Sequence, residues 1–395
     1  MPEPLAIAEA LDLVLSRVRP LAGETVDVAS AVARVLAEPA AALVDLPPFH
    51  SSAMDGFAVR AGDTPGSLRV AGHSAAGAPF GGVVAAGQAV WISTGAEVPR
   101  GADAVVPVEL VRDQGELIET DEVAVGAHIR RRGGDVSSGE LVVGAGVRLG
   151  APQVGALAAA GLGAVVCSRR PNVAVLATGS ELRAPGQALA PGEIYESNST
   201  LLAAQLASAG ALWEVLPSVA DDPPETRAAL ARGLDFDVLV TSGGVSVGPH
   251  DLVRGLLAEL GVDEVFWQVA VRPGKPVAFG VRGSTLVFGL PGNPVSSLVG
   301  FELFVRPALD ALQGLADPGP RYLPGRLATP VRRNAGRDEL VRARVRTDPD
   351  KVVLEPLGGQ ESHMIVRSAS ADALVLVERG EGEVPADGPV RYLPI

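Results

Sequence analysis

Cysteine is almost missing from this chain. Cys167 is the only one in 395 residues, so no intrachain disulfide, Cys-rich zinc site or iron–sulfur cluster can be built, and a reducing cytoplasm is the expected setting. The five histidines, His50, His73, His128, His250 and His363, show no metal-ligand spacing and no H-E-x-x-H. Any metal should therefore be hard and oxygen-bound, such as Mg²⁺. Positive charge is also scarce: Lys+Arg 33 against Asp+Glu 46 leaves a net charge of -13. That balance argues against broad binding to nucleic acid or anionic membranes, and an anionic ligand would need a local site. No apolar run is long enough to span a bilayer, and the start lacks the basic region of a signal peptide. Neither a G-x-x-x-x-G-K-[ST] loop nor a G-x-G-x-x-G fingerprint occurs.

What is present is apolar content, glycine and proline. A hydrophobic fraction of 47% excludes a disordered chain, and the length allows two to four domains. The 47 glycines and 32 prolines are spread throughout, which indicates many tight turns rather than a low-complexity linker. Ile7, Leu11, Val14, Leu15 and Val18 recur at helical spacing before Pro20, and a short β-like run at 24–28 precedes a helical segment over 29–36. Between 47 and 146, short Val-rich runs cut by Gly and Pro predict an inserted β domain. Pro152 opens a helix that Gly161 ends. From Asn172 strands alternate with helices: strand 173–177, helix 199–209 capped by Asn198, strand 212–216, helix 224–232, strand 238–241 and helix 251–260. Strands at 264–269, 277–281 and 285–288 and a long helix to Leu312 follow. Such alternation predicts a parallel sheet covered on both faces. A Pro/Gly-rich linker at 314–324 leads to a compact β-barrel.

The chemistry-bearing stretches sit in turns after apolar runs. Residues 242–251, Ser242-Gly-Gly-Val-Ser-Val-Gly-Pro-His-Asp251, follow a strand and precede a helix. Their glycines allow close backbone approach, so Ser242, Gly243, Gly244, Ser246 and Gly248 are expected to surround a phosphate. The same stretch matches the G-x-S-x-G nucleophile elbow, but Pro249 would fall inside the helix that an elbow requires, which weakens a catalytic Ser246. Arg272 and Lys275 flank a stiff Pro-Gly turn and suit an oxyanion, although surface solvation explains them equally well. Pro291, Asn293 and Pro294 form a second turn that starts a helix with Ser296 in its first turn. Asp55 next to Gly56 is read as a turn, and Cys167 in an apolar strand as a buried, inert thiol.

Eight stretches taken in order resemble the molybdopterin molybdenumtransferases, the family of bacterial MoeA and the gephyrin E domain. They are Pro47-Pro-Phe with Ser52-Ala-Met-Asp-Gly-Phe-Ala58, Thr94-Gly-Ala96, Arg131-Arg-Gly-Gly-Asp135, Thr178-Gly-Ser-Glu-Leu182, Ile194-Tyr-Glu-Ser-Asn198, Ser242 to Gly248, Pro273-Gly-Lys-Pro276 and Gly289-Leu-Pro-Gly-Asn-Pro294. The resemblance covers the whole chain. It implies a multidomain α/β plus β fold: a three-layer α/β/α molybdopterin-binding domain over 172–315, an inserted β domain over 47–146 and a C-terminal β-barrel domain over 321–395. The remainder would be an N-terminal helix (1–20) packing on the α/β domain and a linking α+β domain (21–46 and 147–171). It further implies insertion of molybdenum from molybdate into adenylylated molybdopterin, with release of AMP and help from Mg²⁺. The form would be a cytoplasmic homodimer with its active cleft between subunits, served by a molybdopterin adenylyltransferase.

By position, the resemblance assigns catalytic weight to Asp55, Thr94, Asp135, Glu181, Asp221 and Asp251, with Asp55, Asp221 and Asp251 as Mg²⁺ candidates. Arg272, Lys275 and Ser296 are the candidates for attracting molybdate. The chain departs from the family at Phe57, Gly134, Glu196, Gln268 and Arg272, and the last replaces a point charge with a planar fork. A non-catalytic pterin-binding scaffold and a serine hydrolase through Ser246 are the alternative readings.

Overall fold

A computed structural model describes residues 3–220, 222–244 and 252–395. The chain forms two compact units: Thr25–Val32 with Glu38–Val166, and Met1–Glu24 with Ala33–Ala37 and Cys167–Ile395. Helix α1, Ile7–Leu15, belongs to the second of these.

In the first unit, strands β1 (Gly56–Val59), β2 (Gly66–Ser74), β3 (Gln88–Ile92), β4 (Ala104–Pro107), β5 (Val111–Asp113) and β6 (Leu117–Thr120) make one sheet in the order β4-β1-β3-β2-β6-β5. Only β2 and β3 run parallel. The interior strand β1 is buried throughout, and Phe57 meets Trp91 edge to face at 5.0 Å. The close strand packing explains Gly56, where a Cβ would lie 2.0 Å from the Val106 carbonyl oxygen. Helix α2, Ala151–Ala159, carries proline in its first turn.

The second unit contains the α/β domain. Its elements are β7 (Asn172–Ala177), α3 (Asn198–Ser208), β8 (Leu212–Val215), α4 (Pro223–Gly233), β9 (Val238–Ser242), α5 (Leu252–Glu259), β10 (Asp263–Phe266), β11 (Ala278–Arg282), β12 (Thr285–Leu290), α6 (Pro294–Gly300) and α7 (Arg306–Leu312). The sheet order is β8-β7-β9-β12-β11-β10. The first four strands are parallel, but β11 and β10 each pair antiparallel, which corrects the expectation of a wholly parallel sheet. The reason is local: only Gly283 and Ser284 separate β11 from β12, and a two-residue turn can join only antiparallel strands.

Both faces of this sheet are covered, and the strands read accordingly as continuous apolar runs. Val173 and Val175 of β7 share a core with α1, α3 and the α6–α7 segment, while Ala174 and Leu176 pack with Leu230 of α4 and Val253 and Leu256 of α5. Each such buried Val or Leu is worth about 1.5–3 kcal/mol relative to exposure.

One helical expectation fails and another is modified. The segment 29–36 shows only a 3₁₀ turn, Val28–Ser30, because Ala33 takes φ +66 and Leu36 pairs as a β-bridge with Cys167. Tertiary pairing here overrides propensity. The long helix ending at Leu312 is interrupted by a π turn, Phe301–Val305, where Pro307 removes a donor from the next turn. Cys167 is fully buried, which pushes its thiol pKa up and leaves it inert.

Strands β13 (Leu323–Leu327), β14 (Asp338–Asp348), β15 (Lys351–Pro356), β16 (Ala373–Val377) and β17 (Pro389–Pro394), with the short helix α8 (Ile365–Ser368), form the C-terminal module. Their order β14-β15-β13-β17-β16 is closed by a β14–β16 pairing, giving a barrel-like sheet.

Asp237, just before β9, accepts bonds of 2.7 and 2.8 Å from Arg169 and one of 2.8 Å from the Asn172 amide. Burial pushes its pKa up, but these donors prevail and hold it below the ordinary carboxylate value. A depressed folded pKa means stability that is complete above about pH 4 and is lost as pH falls through the folded value. Asp237→Asn should cost about 1 kcal/mol at neutral pH, discounted for the exposed arginine. Denaturant midpoints of the two proteins should converge below pH 4, and a constant gap down to pH 2.5 would contradict the assignment.

Candidate active site

A cavity of ≈ 680 Å³ opens where β7, β9 and β12 end, and it gathers residues from six separate stretches of chain. Glu181, Ser242, Gly243, Gly244, Pro291, Asn293 and Pro294, all expected from the sequence, line it together. This is the carboxyl edge of the parallel strands, where an open α/β sheet leaves a crevice. A smaller apolar cavity of ≈ 200 Å³ beside α5, lined by Val253, Trp267 and Phe279, contains none of the expected residues.

The glycine loop has its conformation imposed by its surroundings. Gly243 and Gly244 have φ of +93 and +65, and Cβ atoms there would lie 2.7 Å from the Thr178 carbonyl oxygen and 2.4 Å from Val253 Cγ2. Only glycine fits both constraints. The Gly243 N–H is spent on the Leu290 carbonyl at 3.1 Å, so it is not one of the donors facing a ligand. Ser246 and Gly248, like Asp221 and Asp251, lie outside the described residues.

The turn before α6 is fastened from within. Ser297 Oγ donates to the Pro291 carbonyl at 2.5 Å, and the Asn293 carbonyl accepts the amides of Ser296 and Ser297. Ser296 is buried and does not line the cavity, and Lys275 does not line it either. Arg272 is held elsewhere because Val271–Arg272 adds a short parallel strand to β14 in register with Asp338 and Glu339. That register sets its guanidinium 2.7 Å from Glu339. The three expected molybdate-attracting residues thus do not converge on this cavity.

Asp55, Thr94 and Asp135 belong to the inserted unit. Asp55 Oδ1 accepts the Thr94 amide at 2.7 Å, so two of the expected residues meet there. Asp135 is exposed and donates its amide to the Leu46 carbonyl at 2.9 Å.

Sequence reasoning missed several lining residues. Asn198, expected as a helix cap, is instead the first residue of α3, and its side chain points across to Ser242 and Gly292. Glu196 instead accepts the Ser199 amide at 2.9 Å at that helix start. His363 and Ile365 reach the cavity from the C-terminal module. They are delivered by a loop bound to Arg342, a fully buried arginine on β14 that donates to the carbonyls of Met364 and Gly359 at 2.6 Å each. Burial draws the Arg342 pKa down from its ordinary value, but an arginine there stays charged. The motif around Asn198 was a usable signal. Nothing local marked His363.

The electrostatics are unusual for an anion site. Among the described lining residues Glu181 and Glu196 are carboxylates, His363 is the one titratable base, and there is no Lys or Arg. The source of positive potential left among the described lining groups is the N-terminus of α3, whose first residue, Asn198, lines the cavity.

Comparison with known proteins agrees with this geometry along the whole chain. Residues 5–161 match the MoeA N-terminal region (domain I and II), 174–311 a probable molybdopterin binding domain and 324–395 the MoeA C-terminal region (domain IV). The fold is therefore that of the molybdopterin-binding class. Molybdopterin molybdenumtransferase 2 of Mycobacterium tuberculosis H37Rv is 37% identical over 92% of each chain. The molybdopterin molybdenumtransferase of Haemophilus influenzae is 34% identical over 95% of this chain and 94% of its own. A crystal structure of the molybdopterin biosynthesis moeA protein of Pyrococcus horikoshii OT3 superposes with a TM-score of 0.86 at 26% identity, covering 100% of both chains. The chain belongs to the MoeA family of molybdopterin molybdenumtransferases.

Proposed function

We propose that this protein is a molybdenum-inserting enzyme that takes molybdate and adenylylated molybdopterin, places the metal in the pterin and releases AMP. The observation that carries this reading is one cavity joining the glycine loop, the Pro291–Pro294 turn and the α3 N-terminus in a chain that matches the family from end to end. Backbone donors and a helix N-terminus suit a phosphate, and the carboxylates of Glu181 and Glu196 suit the N–H groups of a pterin ring. The α/β domain is read as three layers, α/β/α, within the five-part division given above.

Mg²⁺ is the proposed assisting ion, with Asp55, Asp221 and Asp251 as its candidate ligands. Among the described residues no three acidic, His or Cys side chains converge; Asp221 and Asp251 lie outside those residues, and no step is routed through the ion. No helix among the described residues is long and apolar enough to cross a membrane. A cytoplasmic homodimer with its active cleft between subunits, supplied by an adenylyltransferase, is part of the same proposal.

The test is AMP release from adenylylated molybdopterin with Mg²⁺, with and without molybdate, followed chromatographically together with the pterin product. Molybdate-dependent release is expected, and Glu181→Gln should slow it at least tenfold. Binding without release would favour a non-catalytic scaffold.

A further inference from the structure

We infer that Asn198 is the positioning residue of this cavity and that it holds Ser242 as a hydrogen-bond donor toward the phosphate of an anionic substrate. Asn198 is 8% exposed, and its Nδ2 donates to Ser242 Oγ and to the Gly292 carbonyl, each at 2.7 Å. One amide thus joins the start of α3, the end of β9 and the turn before α6, elements 44 and 94 residues apart in sequence. The orientation of the amide is forced, because a carbonyl oxygen can only accept, so the atom facing Gly292 must be nitrogen.

Two consequences follow from that orientation. The Asn198 Oδ1 is buried with no partner among the described residues, a costly arrangement unless the two donated bonds are what the position requires. Ser242 Oγ already accepts from Asn198, and among the described residues its own proton has no acceptor. Ser242 lines the cavity, so that proton is available to an anion there.

The inference rests on the substrate reading above, and its test separates the two. Asn198→Asp is isosteric but places acceptors against the Gly292 carbonyl and draws the Ser242 proton to itself. Its KM for adenylylated molybdopterin should rise at least tenfold, with kcat changed less than threefold. Ser242→Ala should raise KM similarly, and the double variant Asn198→Asp/Ser242→Ala should raise it by clearly less than the product of the two single effects. Multiplying effects, or an Asn198→Asp variant with wild-type KM, would overturn the proposal while leaving the enzyme reading intact. If the wild-type protein itself releases no AMP, the enzyme reading falls instead. The clamp is then read by hydrogen exchange, where Asn198→Asp and Asn198→Ala should both lose protection at 238–244 and 290–293, and unchanged protection would refute it.

Discussion

Gly243→Ala is expected to remove substrate binding. Its Cβ would sit 2.7 Å from the Thr178 carbonyl oxygen and 3.1 Å from Thr178 Oγ1, in a backbone conformation, φ +93, that an L-residue rarely takes. The obstructing carbonyl is backbone and cannot step aside, because the Thr178 amide is itself bonded to the Ser242 carbonyl at 3.1 Å. The left-handed conformation costs about 1–2 kcal/mol and the displaced loop a similar amount, so the chain should lose about 2–4 kcal/mol in a urea titration. The larger effect is on the site, where the apparent KM should rise at least a hundredfold as the loop moves off the cavity wall. Gly283→Ala in the β11–β12 hairpin is the control: φ is +60, nothing lies within 4 Å, and it should cost about 1 kcal/mol with unchanged KM. Equal behaviour of the two variants would mean that backbone conformation alone, and not the loop's closeness to Thr178, limits position 243.

Arg342→Met should be the most damaging single change in the C-terminal module. Arg342 is 0% exposed, and its guanidinium serves the carbonyls of Gly359 and Met364 at 2.6 Å and Ser368 Oγ at 2.9 Å. Gln360 completes the arrangement by accepting the Arg342 amide at 3.0 Å and donating to the Arg342 carbonyl at 2.9 Å. Methionine fills much of the volume but leaves these acceptors unpaired, at about 1–3 kcal/mol for each one that water cannot reach. A loss of about 3–5 kcal/mol is expected, comparable to breaking a buried ion pair. The loop that carries His363 and Ile365 should also come away from the cavity, raising KM as well as lowering stability. Denaturation with guanidinium chloride and hydrogen exchange over 359–368 would show both effects. A Met variant with native protection in that loop would show that the barrel alone holds it.

The parts of the site that were legible in the sequence are those whose chemistry is local. Ser242 to Gly244 announced themselves because a close backbone approach requires glycine, and Pro291 to Pro294 because proline starts helices and shapes turns. Glu181 came from an ordered motif rather than from spacing. The strands β7, β9 and β12 were legible for a similar reason: burial on both faces writes a continuous apolar run. The segment 29–36 reads as a helix by periodicity, and no local rule reveals that Leu36 pairs with Cys167.

Composition and pattern by themselves determined the class: no intrachain disulfide or Cys-rich metal site, an alternating α/β domain, β modules before and after it, and glycine- and proline-rich turns suited to an anion. Tertiary structure alone decided which side chains meet. Arg272 is taken out of the cavity by strand register with Glu339, a pairing across 67 residues of chain. Asn198 becomes a clamp because α3, β9 and the turn before α6 end at one edge of the sheet, and His363 arrives because a buried arginine on another module folds its loop there. Local sequence records the conformational needs of each turn, whereas the partner of a hydrogen bond across 94 residues is fixed only when packing brings the two ends together.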